Sequence, residues 1–254
     1  MKASVTHNKP SEDYAAKYTA SVQALRDQVR LNPGNWTQAH SLGAEDIVVS
    51  HLLQEADLLP AVSMFVLDTG VLHTETLALI GQVEAHFGVA MRRFQPDTQQ
   101  VVHFVQRHGE RAMYESIALR KACCDLRKMQ PLAQALQGQT GWITGLRREQ
   151  SLARADVPLV DRSAALLKLN PLADWTWGDV WHCIATRALP YNALHDAFYP
   201  SIGCAPCTRA ISLGEDFRAG RWWWETASAK ECGLHVQAPA PTSSISNLPA
   251  KVAS

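Results

Sequence analysis

Residues 61–67, AVSMFVL, constrain the fold more than any other stretch of this chain. The run is apolar at successive rather than alternate positions, partly β-branched, and closed by Pro60 on one side and Asp68-Thr69-Gly70 on the other. That pattern reads as a strand buried on both faces. Such strands belong to parallel sheets with helices on either side. The flanking sequence supplies the partners. Within residues 11–31, Ala16, Ala20, Val22, Leu25, Val29 and Leu31 recur at helical steps until Asn32-Pro33-Gly34-Asn35 stops the helix. Residues 36–42 read as a short strand, 44–57 as a helix, 73–87 as another, and 89–94 as a strand. From Pro96 to Gln137 the pattern is mainly helical, with a break around 122–125. Residues 141–146 (GWITGL) form a further buried strand, 166–169 a fifth, and 175–189 an amphipathic helix starting at Thr176. The fold class is therefore α/β, a mostly parallel sheet flanked by helices. Ligands bind such sheets at the carboxyl ends of the strands.

The domain boundaries follow from the same pattern. Residues 1–35 form an N-terminal helical segment, 36–215 the α/β domain and 216–235 a C-terminal segment. Residues 236–254, with three prolines and four serines, form a mobile, disordered tail. Hydrophobic residues make up 46% of the 254 and charged residues 19%, enough to build a core and too apolar for global disorder. The balance of 24 Lys+Arg against 24 Asp+Glu argues against nucleic-acid or polybasic membrane binding. No apolar run approaches the roughly 18 residues of a membrane span. The first fifteen residues lack the apolar core of an export signal, so a cytoplasmic protein is expected.

In such a compartment thiols stay reduced, and clustered cysteines point to metal ligation or redox chemistry. Cys123-Cys124 and Cys204-Ala-Pro-Cys207 lie about 80 residues apart and can meet only through the fold. Four converging thiolates suit zinc or an iron–sulfur cluster. Adjacent cysteines reach one tetrahedral ion only with strain, whereas a cubane offers each a different iron, so the spacing favours a [4Fe–4S] cluster. The competing reading is a set of inert buried thiols. Cys183, on the amphipathic helix, reads as a core thiol. Cys232, in KECGLH just before the tail, has Lys230 and His235 nearby, which suits a thiol of lowered pKa; an incidental surface cysteine is the alternative.

Ser41-Leu42-Gly43-Ala44-Glu45-Asp46 joins a strand to a helix in a way that suits an anion. It lacks the Gly-Lys-Ser/Thr ending of a Walker loop. Glu45 and Asp46 read as residues favoured by the helix dipole. Asp68-Thr69-Gly70 ends the next strand beside it, and Arg147-Arg148 follows the strand ending at Gly145. Guanidinium groups at that edge suit phosphate or sulfate. Arg120-Lys121 and Arg209 are expected on solvated helix faces, and Trp222-Trp223-Trp224 in packing or a lid.

Taken together, SLGAED at 41–46, LDTG at 67–70, HTET at 73–76, CCDLRK at 123–128, GLRREQS at 145–151, the Cys204/Cys207 pair, FRAGRWWWE at 217–225 and KECGLH at 230–235 resemble one family. It is that of the assimilatory, iron–sulfur-cluster-containing adenylylsulfate (APS) reductases, within the PAPS/APS reductases. The resemblance implies a PP-loop-like, Rossmann-like adenine nucleotide fold. It implies reduction of APS to sulfite and AMP by thioredoxin or a glutaredoxin-like protein. Cys232 would be the nucleophile and carry an S-sulfocysteine, with Lys128 and His235 as further catalytic residues. Cys123, Cys124, Cys204 and Cys207 would hold the cluster. Ser41, Gly43, Leu67, Gly145, Arg148, Arg154, Arg218 and Arg221 would contact the substrate. Homo-oligomers occur in the family. Leu42 stands where Phe is more usual, and Val71 where Arg is. Acceptance of PAPS, an ATP-dependent tRNA thiolase and a non-enzymatic cluster-based redox sensor are the competing readings. The thiolase would want an SGGxDS loop and a basic surface, which this chain lacks.

Overall fold

The computed structural model describes residues 2–226 except Ala165. Cys232, His235 and the tail 236–254, for which the sequence sets expectations, therefore lie outside the described residues. A short helix α1 (Ala3–Thr6) and a long α2 (Tyr14–Leu31) precede β1 (Trp36–Ala39). Then come α3 (Ala44–Glu55), β2 (Val62–Leu67), α4 (Thr74–Phe87), β3 (Met91–Phe94) and α5 (Thr98–His108). α6 (Ile117–Cys124), α7 (Gln130–Leu136), β4 (Gly141–Ile143), β5 (Val160–Asp161), β6 (Leu167–Leu169) and α8 (Trp177–Thr186) complete the order. Among the described residues, no helix is long and apolar enough to cross a membrane.

The strands form one sheet in the order β3-β2-β1-β4-β6-β5. Every neighbouring pair is parallel except β5 with β6. Trp36 sits beside Val62 on one side and Gly141 on the other, so β1, β2 and β4 start at one level. The core expected from residues 61–67 is present: Val62, Met64 and Val66 pack with Ile47, Leu52, Ile80, Val180 and Trp181 on the face covered by α3, α4 and α8. Phe65 points the other way, onto Leu132 and Ala135 of α7 and onto Trp142. α8 starts at Thr176, whose hydroxyl accepts from Asp179 N–H while the Asp179 carboxylate accepts from Thr176 N–H.

Three expectations need correction. The chain does not break at 122–125: a π-helical turn, Asp125–Met129, carries α6 into α7, and the interruption falls earlier, at Gly109. An extra residue per turn rotates the following side chains, here Lys128, relative to the two cysteines, which is the sort of local device π turns provide at functional sites. β5 had no apolar signal because it is a two-residue edge strand. Arg120 is not on a solvated face; it is 1% exposed, and its guanidinium is forked onto Glu225 at 2.9 and 2.8 Å.

Candidate active site

Parallel strand direction places three turns together at the carboxyl edge of the sheet. The first follows β1. Leu42 there has φ 64°, a left-handed conformation uncommon for a residue with a β-carbon, and its N–H donates to His40 Nδ1 at 3.0 Å. That bond leaves the proton of the neutral ring on Nε2, and burial pushes the imidazole down to about 3. Asp46, one turn into α3, reaches back to accept from Ser41 N–H at 2.6 Å and Ser41 Oγ at 2.5 Å. Its other oxygen accepts from Gly145 N–H at 3.2 Å, tying the turn after β1 to the turn after β4. Burial pushes the Asp46 carboxyl up to about 6 against these donors. Helix-dipole compensation was thus the lesser part of what Asp46 does.

The third turn is braced differently from what the sequence suggested. Arg147 is 1% exposed and points inward, with Nε and Nη2 on Glu45 Oε1 at 3.1 and 3.0 Å and Nη1 on Glu149 at 2.7 Å. Gln150 bridges Glu45 and the Arg154 guanidinium, at 2.9 and 2.6 Å. Arg148 turns outward to Asp174 and the Val157 carbonyl, away from the cleft between the turns.

That cleft has two connected lobes. Ser41, Leu67, Gly145, Lys128 and Arg154 line one; Ser41, Gly43, Lys128, Arg154, Arg218 and Arg221 line the other. The fold therefore brings together all the expected substrate contacts except Arg148. His195 also lines the second lobe. Its Nδ1 donates to the Tyr199 carbonyl at 2.8 Å and burial holds the ring down to about 4, so it is neutral there. Sequence reading assigned no role to His40, Gln150 and His195, and gave Asp46 only the helix-dipole one. Only their closeness to the expected turns could have marked them. A larger cavity at the opposite, amino edge of the sheet, walled by Trp36, Val62 and Phe87, holds none of the expected residues.

The cysteines meet behind the second turn. Cys123 and Cys124 end α6, while Cys204 and Cys207 flank a single turn docked on the chain after Gly70 by Ala205 N–H donating to the Val71 carbonyl at 2.8 Å. Gly70 has φ 74°, and Arg127 Nη1 donates to the preceding Thr69 carbonyl at 2.7 Å. All four of these cysteines line one small cavity, and Thr69 Oγ1 stands 3.3 Å from Cys204 Sγ. Burial raises the Cys123 thiol and pushes Cys207 up to about 12, helped by the neighbouring Cys204. Among the described residues, no three His, Cys, Asp or Glu side chains are grouped closely enough for one metal ion. The four cysteines line this one cavity, a donor set suited to a thiolate-held metal group. Binding iron would also remove the protons that burial otherwise keeps on them. Lys128 lines both this cavity and the two lobes of the cleft. Cys183, by contrast, is fully buried in α8 within the main core, its thiol pushed up to about 11 by burial, as a core thiol should be.

Known proteins resemble the chain over most of its length. Residues 35–210 match the model of the phosphoadenosine phosphosulfate reductase domain. An adenosine 5'-phosphosulfate reductase of Allochromatium vinosum is 52% identical over 91% of this chain and 90% of its own. One of Burkholderia cepacia is 47% identical over 80% of this chain and 81% of its own. Among solved structures, a phosphoadenylyl-sulfate reductase of Candida auris superposes with TM-score 0.60 at 24% identity, covering 78% of this chain and 97% of its own. An ammonia-dependent NAD synthetase of Campylobacter jejuni superposes with TM-score 0.51 at 14% identity, covering 74% and 77%. At those identities the two structures speak for the fold alone, a mostly parallel sheet flanked by helices.

Proposed function

The chain belongs to the phosphoadenosine phosphosulfate reductase family, and from that premise we propose that it reduces APS to sulfite and AMP with electrons from a dithiol protein. The observation that carries this reading is Lys128, which lines an anion cleft on one side and a four-cysteine cavity on the other. Gly43, at the N-terminus of α3, stands with Ser41 and Gly145, whose own donors Asp46 holds in place, and Arg154, Arg218 and Arg221 offer guanidinium groups. Together they would hold the phosphosulfate and stabilise AMP as it departs. Leu67, at the end of β2, would meet the adenine through its backbone. Arg148, which faces Asp174, would have to turn to reach the nucleotide.

The Cys232 thiolate attacks the sulfate sulfur, the bond from sulfur to the phosphate oxygen breaks, and AMP leaves with that electron pair. Cys232 then carries a thiosulfonate. A thiolate of thioredoxin, or of a glutaredoxin-like protein, attacks the Cys232 sulfur, and sulfite departs with the electrons of the sulfur–sulfur bond. The second thiol of that protein resolves the mixed disulfide, so the dithiol ends oxidised and sulfur falls from S(VI) to S(IV). His235, three residues beyond Cys232, would favour the thiolate when protonated.

Cys123, Cys124, Cys204 and Cys207 would hold a [4Fe–4S] cluster. When bound, the cluster supplies local charge, not electrons, to the neighbouring anion site. Lys128 would then orient the sulfate from between the two sites. The test is anaerobic purification, iron and sulfide analysis, and sulfite release from APS and from PAPS with thioredoxin as donor. Iron-bearing protein that releases sulfite from APS and accumulates a sulfonate adduct on Cys232 in the absence of thioredoxin is expected. Colourless, iron-free protein, or turnover by a Cys232→Ser variant, would refute the reading. Equal rates with PAPS would move the substrate assignment.

A further inference from the structure

The ion pair between Arg120 and Glu225 lies outside everything used so far. Its members are 1% and 3% exposed at their side chains and meet in a two-bond fork. Arg120 belongs to α6, one turn before Cys123-Cys124, and also bonds the Cys124 side chain. Glu225 ends the FRAGRWWWE stretch that brings Arg218 and Arg221 to the cleft. Between them lies Trp222, 1% exposed. The Arg120 guanidinium stands 4.7 Å from the centre of its ring, and those of Arg221 and Arg218 stand 4.6 and 5.9 Å from it.

This packing has features that simple core filling does not require. Trp222 adopts φ 42°, a left-handed conformation costly for a bulky residue and kept only where the surroundings impose it. What imposes it is the Cys207 carbonyl, which accepts from Trp222 N–H at 3.2 Å, and the backbone bridge between Thr208 and Arg221. The Arg221 side chain is in turn pinned over Gly203, where an added β-carbon would come within 2.5 Å of its Nη2, and Nη1 donates to the Ile202 carbonyl at 3.2 Å. Its Nε is buried with no hydrogen-bond partner among the described residues. Three guanidinium groups thus crowd one indole. Glu225 neutralises Arg120, which leaves the charge of Arg221 directed at the cleft.

We propose that Arg120 and Glu225 are positioning residues for anion binding: their ion pair, acting through Trp222, aims Arg221 at the phosphosulfate subsite. The proposal rests on the reading above that Arg221 meets the nucleotide. It differs from a packing role because it predicts coupling between Glu225 and Arg221. The probe is ADP, whose diphosphate has the shape of a phosphosulfate, titrated calorimetrically into the anaerobically purified full chain. Iron content and thermal unfolding are recorded alongside.

Glu225→Ala is expected to weaken ADP binding about tenfold, and Glu225→Gln, which keeps most of the hydrogen-bonding shape, by less. In an Arg221→Ala background, Glu225→Ala is expected to change ADP affinity by less than about twofold, because the pair then has nothing left to aim. Should Glu225→Ala fail to fold, Arg120→Met with Glu225→Leu removes both charges while filling the space, and the same tenfold loss is expected. Losses that add in full in the Arg221→Ala background, or unchanged ADP affinity in a folded variant, would overturn the proposal. If the unaltered chain fails to bind ADP, the nucleotide reading falls and takes this inference with it; if it binds and the variants match it, only this inference falls.

Discussion

Gly145→Ala tests the geometry of the anion cleft most directly. A β-carbon built on Gly145 would lie 2.6 Å from Asp46 Oδ1, 2.8 Å from Glu45 Cβ and 3.1 Å from the Glu45 carbonyl carbon. Ordinary contact begins near 3.4 Å, so close to an ångström must be found somewhere. Asp46 has no easy escape, because its carboxylate already holds Ser41 N–H, Ser41 Oγ and Gly145 N–H. Nor does Glu45, whose carboxylate receives the buried Arg147. Overpacking of this kind costs about 1–3 kcal/mol. Weakening one hydrogen bond to a charged acceptor adds about 1.5 kcal/mol. A total near 3 kcal/mol should lower the unfolding midpoint by roughly 6–12 °C in a chain of this size. The same shift pushes the start of α3 away from the turn after β4, so nucleotide affinity should fall as well. Differential scanning calorimetry and ADP titration of the variant check both. A midpoint within about 1 °C of the parent, with full ADP affinity, would show that the two turns are not packed as described.

Lys128→Ala, with iron content unchanged, should lower kcat/KM for APS by at least about 100-fold, the usual size of a lost oriented charge donor; steady-state sulfite release measures it. Asp46 has its carboxyl pushed up to about 6 by burial, so the folded state holds this proton more tightly than the unfolded chain does. The stability this adds is complete below about pH 4 and is lost as pH rises through 6, giving a carboxyl carbon-13 titration midpoint near 6. The stability difference between the parent and Asp46→Asn should fall over the same window and then level off. Cys183→Ala should cost about 1–2 kcal/mol in denaturant unfolding and leave iron content and sulfite release as they were, since the thiol only fills the core around α8.

Periodicity and punctuation made the parallel sheet readable. The run at 62–67 is apolar on both faces because helices cover both, and Pro60 and Gly70 mark its limits. A strand one or two residues long, such as β5, carries no such signal, since an edge strand buries too little to need an apolar pattern. The cysteine spacing predicted that two distant segments meet, and they do line one cavity. Charge was the least legible property. Arg120, Arg147 and Arg148 look alike in sequence, yet the first is locked on Glu225, the second on Glu45 and the third on Asp174 outside the cleft. Residue type states that a guanidinium is present, and the direction it takes depends on which carboxylate the fold delivers to it, from about a hundred residues away for Arg120 and Arg147 and from 26 for Arg148.

By itself, then, the sequence determined the α/β class, the edge of the sheet where the candidate site residues gather, and the residue chemistry available there, because these follow from short-range pattern and composition. Only the tertiary structure decided that Asp46 ties two turns together, that Lys128 lies between cleft and thiols, and that a buried ion pair stands behind Arg221. Each of those is a meeting of side chains from different elements. Its energy depends on distance and burial in space, quantities that separation along the chain does not encode.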